Sequence, residues 1–177
     1  DGMPVTADVS IHHLHLTEMD LASFNCNCKV RPPLRTQRDL DGLRAGVSRG
    51  ALGGIVSDHQ PHDHDAKFAP FCDAESGISA FETLLPLVLR LVDSGLLSLV
   101  DAIACLTHRP ARILGIQAGT LTVGARADIC IFDPVGHWQV EPEALLSHGK
   151  NTPYGGWEMR GRVTHTLSDG RIVYEYQ

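Results

Sequence analysis

The chain has 177 residues, 43% of them hydrophobic and 20% charged, a globular composition rather than a disordered or fibrous one. Its formal net charge of -6 argues against non-specific nucleic-acid binding and leaves no basic patch for a membrane surface. No apolar run approaches the ~18 residues that span a bilayer, and no charged-then-apolar leader opens the chain, so no signal peptide is expected.

In chain order, Val5-Thr6-Ala7-Asp8-Val9-Ser10 begins a strand that the pattern extends over residues 5–16, into His12-His13-Leu14-His15. Residues 17–35 read as irregular and end in Arg31-Pro32-Pro33-Leu34-Arg35, where two prolines remove backbone donors and stiffen the loop. Thr36, with Asp39 three residues on, starts a helix whose apolar stripe is Leu40, Leu43 and Val47, and Gly50 stops it. A short apolar run over residues 53–57 reads as a buried strand. A long loop follows to about residue 78. Ser79, with Glu82 three residues later, is expected to cap a helix. Its Phe81, Leu84, Leu85, Val88, Leu89 and Val92 cover most of the circumference, so deep burial is expected. Ser98 and Asp101 start another helix through about Thr107, and Pro110 opens a short one that Gly115 ends.

At residue 116 the composition changes to short alternating runs punctuated by Gly119, Gly124, Pro134 and Gly136. The runs 120–123 and 128–132 read as strands. Residues 162–167 and 171–174, around Ser168-Asp169-Gly170, read as a hairpin. The expected organisation is therefore α/β over residues 1–115 and a small β unit over 116–177. Two β/α units cannot close a barrel, which takes eight strands and roughly 250 residues. The first residue is Asp and a strand follows almost at once, so a fragment of something longer is expected.

The cysteines are Cys26, Cys28, Cys72, Cys105 and Cys130. Their odd number, without a paired framework, suggests a reducing compartment, and a cytoplasmic location is expected. Cys26-x-Cys28 has no partner pair and reads as ordinary thiols rather than a zinc clip.

The residues that carry chemistry stand in Asp58-His59-Gln60-Pro61-His62, where the 53–57 strand ends. In a parallel α/β barrel that end collects catalytic groups. A carboxylate there can hold a metal or take a proton from water, and a histidine four residues on can face the same pocket. Read without that context, Asp58 is a turn or N-cap aspartate and His62 a loop histidine.

That stretch is preceded by Lys29-Val30-Arg31-Pro32-Pro33-Leu34-Arg35 and followed by Gly77-Ile78-Ser79-Ala80-Phe81-Glu82-Thr83-Leu84-Leu85-Pro86. Together they resemble the bacterial and multifunctional-type dihydroorotases, cyclic amidohydrolases of the amidohydrolase superfamily. Gly119-Thr120-Leu121-Thr122-Val123-Gly124 and Asn151-Thr152-Pro153-Tyr154 match further along, so the resemblance covers essentially the whole chain and only the C-terminal half of those enzymes. It implies the last two β/α units of a (β/α)8 TIM-type barrel plus part of a β-sandwich, with residues 5–16 as strand seven and 53–58 as strand eight.

The implied activity is zinc-dependent interconversion of dihydroorotate and N-carbamoyl-L-aspartate in pyrimidine synthesis. Asp58 would be both zinc ligand and proton shuttle, the remaining zinc ligands lying on polypeptide absent from this chain. His62 would contact the substrate, and Ser76 and Gly77 would face it with their backbone. Gly77 reads equally as the residue preceding the Ser79 cap. Arg31 stands where many relatives have Asn; its guanidinium suits a carboxylate, yet a surface ion pair is an equal reading. His12 and His13 match a His-His pair that is not usually among the metal ligands. His13-Leu14-His15 is set aside as a strand-one metal motif because Asp58 follows too soon. Implied partners are the N-terminal remainder of the barrel, a second copy in a homodimer, and aspartate carbamoyltransferase. The alternative is a non-catalytic dihydroorotase-like subunit that scaffolds aspartate carbamoyltransferase, a subgroup that the departures at Arg31, Gln60 and the 70–77 loop also resemble. The spacing fits dihydroorotase better than a hydantoinase or allantoinase.

Overall fold

The structure, a computed structural model, describes residues 5–176, so Asp1 lies outside it. The fold is α/β. β1 (Asp8–Ser10) and β2 (Gly54–Val56) pair in parallel, Val9 opposite Ile55, with α1 (Gln37–Ser48) as the crossover. Thr36 and Asp39 close the expected reciprocal cap on α1, the Thr36 hydroxyl donating to the Asp39 carboxylate at 2.7 Å. β1 is much shorter than expected. Ile11–Leu14 turns instead into a 3-10 helix, because Ile11 and Leu14, three apart and both fully buried, must point the same way into the core. Alternation along a strand would send them to opposite faces.

Between β2 and the next long helix lies α2 (His64–Lys67), a single turn inside what reads as a continuous loop. α3 (Phe81–Asp93) follows, then α4 (Leu99–Leu106), capped by Ser98, and α5 (His108–Leu114), ended by the left-handed Gly115. Ser79 does not cap α3, whose N-cap is Ala80. Glu82 does not reach back either; its Oε1 accepts from the Leu146 and Ser147 amides at 2.8 and 3.3 Å. Phe81 is exposed, but Leu87, Val88 and Leu91 are buried against Ile11, Leu14 and Ala102.

β3 (Ile129–Gln139), β4 (Glu158–Ser168) and β5 (Arg171–Glu175) form an antiparallel sheet in that order. The β4–β5 hairpin is the expected one. Asp169 and Gly170 both take positive φ at its turn, the signature of a tight hairpin connection. β3 is interrupted in register between Asp133 and His137, where Pro134 and Gly136 lie. Residues 120–123 form no strand. Leu121 and Val123 are exposed, and no strand among the described residues lies alongside to take their backbone hydrogen bonds. α3 packs on β4, and Val140, Tyr154 and Met159 enter the same core as Ile11 and Leu87. That packing brings residues 149–154 against the loops that follow β2. No helix among the described residues is long and apolar enough to cross a membrane.

Candidate active site

Because β1 and β2 run parallel, Ser10 and Val56 leave the sheet at the same end. His12 and His13 follow the first and Asp58 follows the second. Asp58 has φ 48°, a left-handed conformation that aspartate tolerates better than most residues. Its Oδ1 accepts from the Gln60 amide at 2.7 Å, and nothing among the described residues bonds Oδ2. The carboxylate is half-buried at the rim.

His59 answers what caps α3. It forms an isolated parallel bridge with Ile78, and its Nδ1 accepts from the Ala80 and Phe81 amides at 2.9 and 3.3 Å. The ring stacks on Phe81, centroids 3.8 Å apart. A ring nitrogen 21 residues upstream thus takes the orphan donors that Ser79 was expected to take. Burial lowers the His59 pKa, so the neutral ring that this cap requires is the favoured one.

His62 is held at two points. Its backbone amide donates to Asn151 Oδ1 at 2.7 Å, and its ring Nε2 lies 3.0 Å from the Ser76 carbonyl, to which it donates. Only Nδ1 is then left for another partner. Ser76, Gly77 and His62 are therefore brought together, through contacts with one another. Gly77 donates to the Lys29 carbonyl at 2.8 Å and has φ 141°, so glycine is required there. Arg31 is exposed and makes no ion pair among the described residues.

The three histidines that follow β1, His12, His13 and His15, each bond a residue brought near by packing. His12 is fully buried, its Nδ1 3.2 Å from the Tyr154 hydroxyl, and burial pushes its pKa down to about 4. Its Nε2 has no partner among the described residues. His13 Nε2 bonds Pro32 O at 3.0 Å. His15 Nε2 bonds Leu87 O at 2.9 Å, and burial likewise lowers its pKa to about 4.

The His15 value carries a prediction. Unfolded histidine titrates near 6.5, so between about 6.5 and 4 the unfolded chain binds a proton that the folded chain refuses. The contribution of neutral His15 is complete above pH 6.5 and is lost as pH falls toward 4. By pH 5 the loss is about 2 kcal/mol. Urea melts at pH 7 and pH 5 check it: H15Q flattens the drop by that amount, and an unchanged drop refutes the assignment.

Two residues that mattered were not singled out. Lys29 donates to the carbonyls of Phe71, Cys72 and Ala74 at 2.8, 2.9 and 2.6 Å, so one ammonium gathers the acidic 70–75 loop. Asn151 is buried between the loops that carry Gln60, His62 and Gly77. Its Asn-Thr-Pro-Tyr setting is visible as a pattern, but nothing local says which carbonyls it meets. A polar cavity of about 440 Å³ opens beside them, lined by His62, Asp63, Lys67, His148, Lys150 and Asn151.

The donor chemistry of Asp58 suits zinc, with one carboxylate oxygen unpartnered among the described residues and the residue half-buried. One carboxylate alone is not a metal site. No group of three or more His, Cys, Asp or Glu among the described residues is arranged to hold a metal. The five cysteines are free, and none joins Asp58.

The amidohydrolase family profile matches residues 4–173. The chain belongs to the amidohydrolase family. Among curated amidohydrolase relatives, the dihydroorotase of Syntrophotalea carbinolica is 47% identical over 173 residues, covering 98% of this chain and 41% of that protein. The dihydroorotase-like protein of Pseudomonas aeruginosa is 46% identical over 174 residues, with the same coverage of each. The chain thus spans 41% of the length of these relatives, matching their C-terminal part. Among solved amidohydrolase structures, L-hydantoinase (dihydropyrimidinase) from Arthrobacter aurescens superposes with a TM-score of 0.90 at 29% identity, over 98% of this chain and 40% of that one. The inactive dihydroorotase-like domain of the Chaetomium thermophilum CAD-like multifunctional protein shares the fold, with a TM-score of 0.69 at 18% identity over 97% of this chain and 44% of that one.

Proposed function

We propose that this chain is the C-terminal part of a zinc-dependent dihydroorotase, which hydrolyses the cyclic amide of dihydroorotate to N-carbamoyl-L-aspartate and closes it again in pyrimidine synthesis. In this reading residues 1–115 contribute the last two β/α units of a (β/α)8 barrel and residues 116–177 part of a β-sandwich. The preceding polypeptide supplies the other strands and the remaining zinc ligands. The observation that carries the reading is Asp58, just beyond the sheet end where both parallel strands terminate, with Oδ2 unpartnered among the described residues. The 47% identity to a dihydroorotase supports the choice of substrate over hydantoins.

Asp58 would hold zinc in part, and the bound metal would lower the pKa of its water toward neutrality. Asp58 takes the proton from the attacking water as its oxygen joins the ring carbonyl carbon. It returns that proton to the ring nitrogen as the C–N bond breaks, so water is added across the amide. In this reading His62, through Nδ1, and the Ser76 N–H hold the substrate, Gly77 lets it come close because it has no side chain, and the exposed Arg31 pairs with its carboxylate. The protein works in the cytoplasm, as a homodimer or beside aspartate carbamoyltransferase.

The non-catalytic scaffold is the second reading. The Pseudomonas aeruginosa dihydroorotase-like protein matches this chain as well as the named dihydroorotase does. One experiment separates them. The full-length polypeptide is purified, its zinc measured by mass spectrometry, and dihydroorotate turnover followed. Zinc with turnover establishes the enzyme; neither, together with co-purifying aspartate carbamoyltransferase, establishes the scaffold. The 177-residue chain alone is expected to show no turnover and to retain no zinc on gel filtration, because three to four ligands are needed for a stable site. Turnover by that chain refutes the division of the site.

A further inference from the structure

Asn151 is 5% exposed, yet each of its side-chain polar atoms is engaged. Oδ1 accepts from the His62 amide at 2.7 Å, and Nδ2 donates to the Gln60 carbonyl at 3.0 Å and the Gly77 carbonyl at 3.1 Å. One donor and two acceptors fix which way the amide points. Its own carbonyl accepts from the Ser79 amide at 2.9 Å. Gly149, two residues earlier, is pressed onto the same loop: a Cβ there would lie 2.5 Å from the His62 nitrogen and 2.6 Å from Pro61 Cβ. The segment from the far side of the chain is therefore built against the Gln60–His62 loop.

We propose that Asn151 is a positioning residue for substrate binding. Its amide sets the spacing between the His62 loop and the Ser76–Gly77 loop, and so the width of the pocket wall that receives the substrate. The inference rests on the reading of His62, Ser76 and Gly77 as substrate contacts. The geometry is otherwise independent of it. His62 has its backbone fixed by Asn151 and its ring fixed by Ser76, while Gly77 is tied to the same amide. Removing Asn151 frees the loops to separate and leaves the buried Gly77 carbonyl, the part-buried Gln60 carbonyl and the His62 N–H without these partners.

The test uses the full-length protein with N151A, H62A and the double variant. A residue that only positions binding groups raises KM by about tenfold and leaves kcat within about threefold. In the H62A background N151A adds less than about twofold to KM, because the two act as one unit. Hydrogen exchange read by mass spectrometry gives a measure free of activity. Peptides over residues 58–63 and 76–80 of N151A lose roughly tenfold in protection, and the interior of α3 does not change. An unchanged KM with a smaller active fraction, or equal loss of protection across the whole chain, makes Asn151 a general stabiliser and overturns the proposal. If H62A itself leaves KM unchanged, the substrate reading of His62 falls, and the exchange pattern alone decides whether Asn151 spaces the loops.

Discussion

Replacing Asp58 by Asn in the full-length protein lowers kcat for dihydroorotate hydrolysis by roughly 10²–10⁴-fold, the range set by a positioned proton carrier. The substitution is chosen because it spares the local fold. Asn tolerates φ near 48° as Asp does, and an amide oxygen at the same place still accepts from Gln60 Nε2. What it removes is the ability to take and return a proton, together with the negative charge that suits a zinc ligand. The melting temperature therefore stays close to that of the unsubstituted protein while turnover collapses. A D58N enzyme that keeps kcat within a few-fold makes Asp58 a turn residue and removes the centre of the functional reading.

Gly77→Ala produces the largest loss of stability at the site, about 3 kcal/mol. A methyl group there would stand 2.5 Å from Gln60 Cβ, 2.8 Å from the Gln60 carbonyl and 3.1 Å from His62 Nε2. The carbonyl cannot move aside cheaply, because Asn151 donates to it and the Gln60 amide is bonded to Ile78. Overpacking costs about 1–3 kcal/mol. The φ of 141° costs about 1–3 kcal/mol more for any residue with a Cβ. Gly42→Ala is the control. It lies in α1 with nothing within 4 Å of the added methyl, and alanine is the better helix former by about 1 kcal/mol. Urea melts of the two variants are expected to move in opposite directions, and a G77A protein as stable as its parent shows that the loop yields.

Much of this was legible in the residues alone. The Thr36–Asp39 cap, the Ser98 cap and the Asp169-Gly170 hairpin turn are all made between neighbours in the chain, and each forms where its pattern stands. The motif Asp58 to His62 also lies where the spacing put it, directly after a parallel strand. The misreadings share a cause. Residues 120–123 alternate as a strand does, but alternation forms no strand without a neighbour to bond. Residues 11–14 follow directly on a strand, and which of their side chains the core buries, the one feature that separates a turn from a strand over so short a span, is set by packing rather than by local pattern. Ser79 carries every local mark of a cap and is displaced by His59.

The amino-acid sequence by itself determined where the longer helices α1, α3 and α4 lie, where the hairpin bends and that an acid closes the second strand, since those outcomes depend on residues within a few positions of one another. Tertiary structure alone decided that His59 caps α3, that Lys29 gathers the 70–75 loop and that Asn151, 89 positions from His62, ties that residue to Gly77. A buried polar group must find partners wherever packing brings them, and no local pattern records which distant carbonyl packing will deliver.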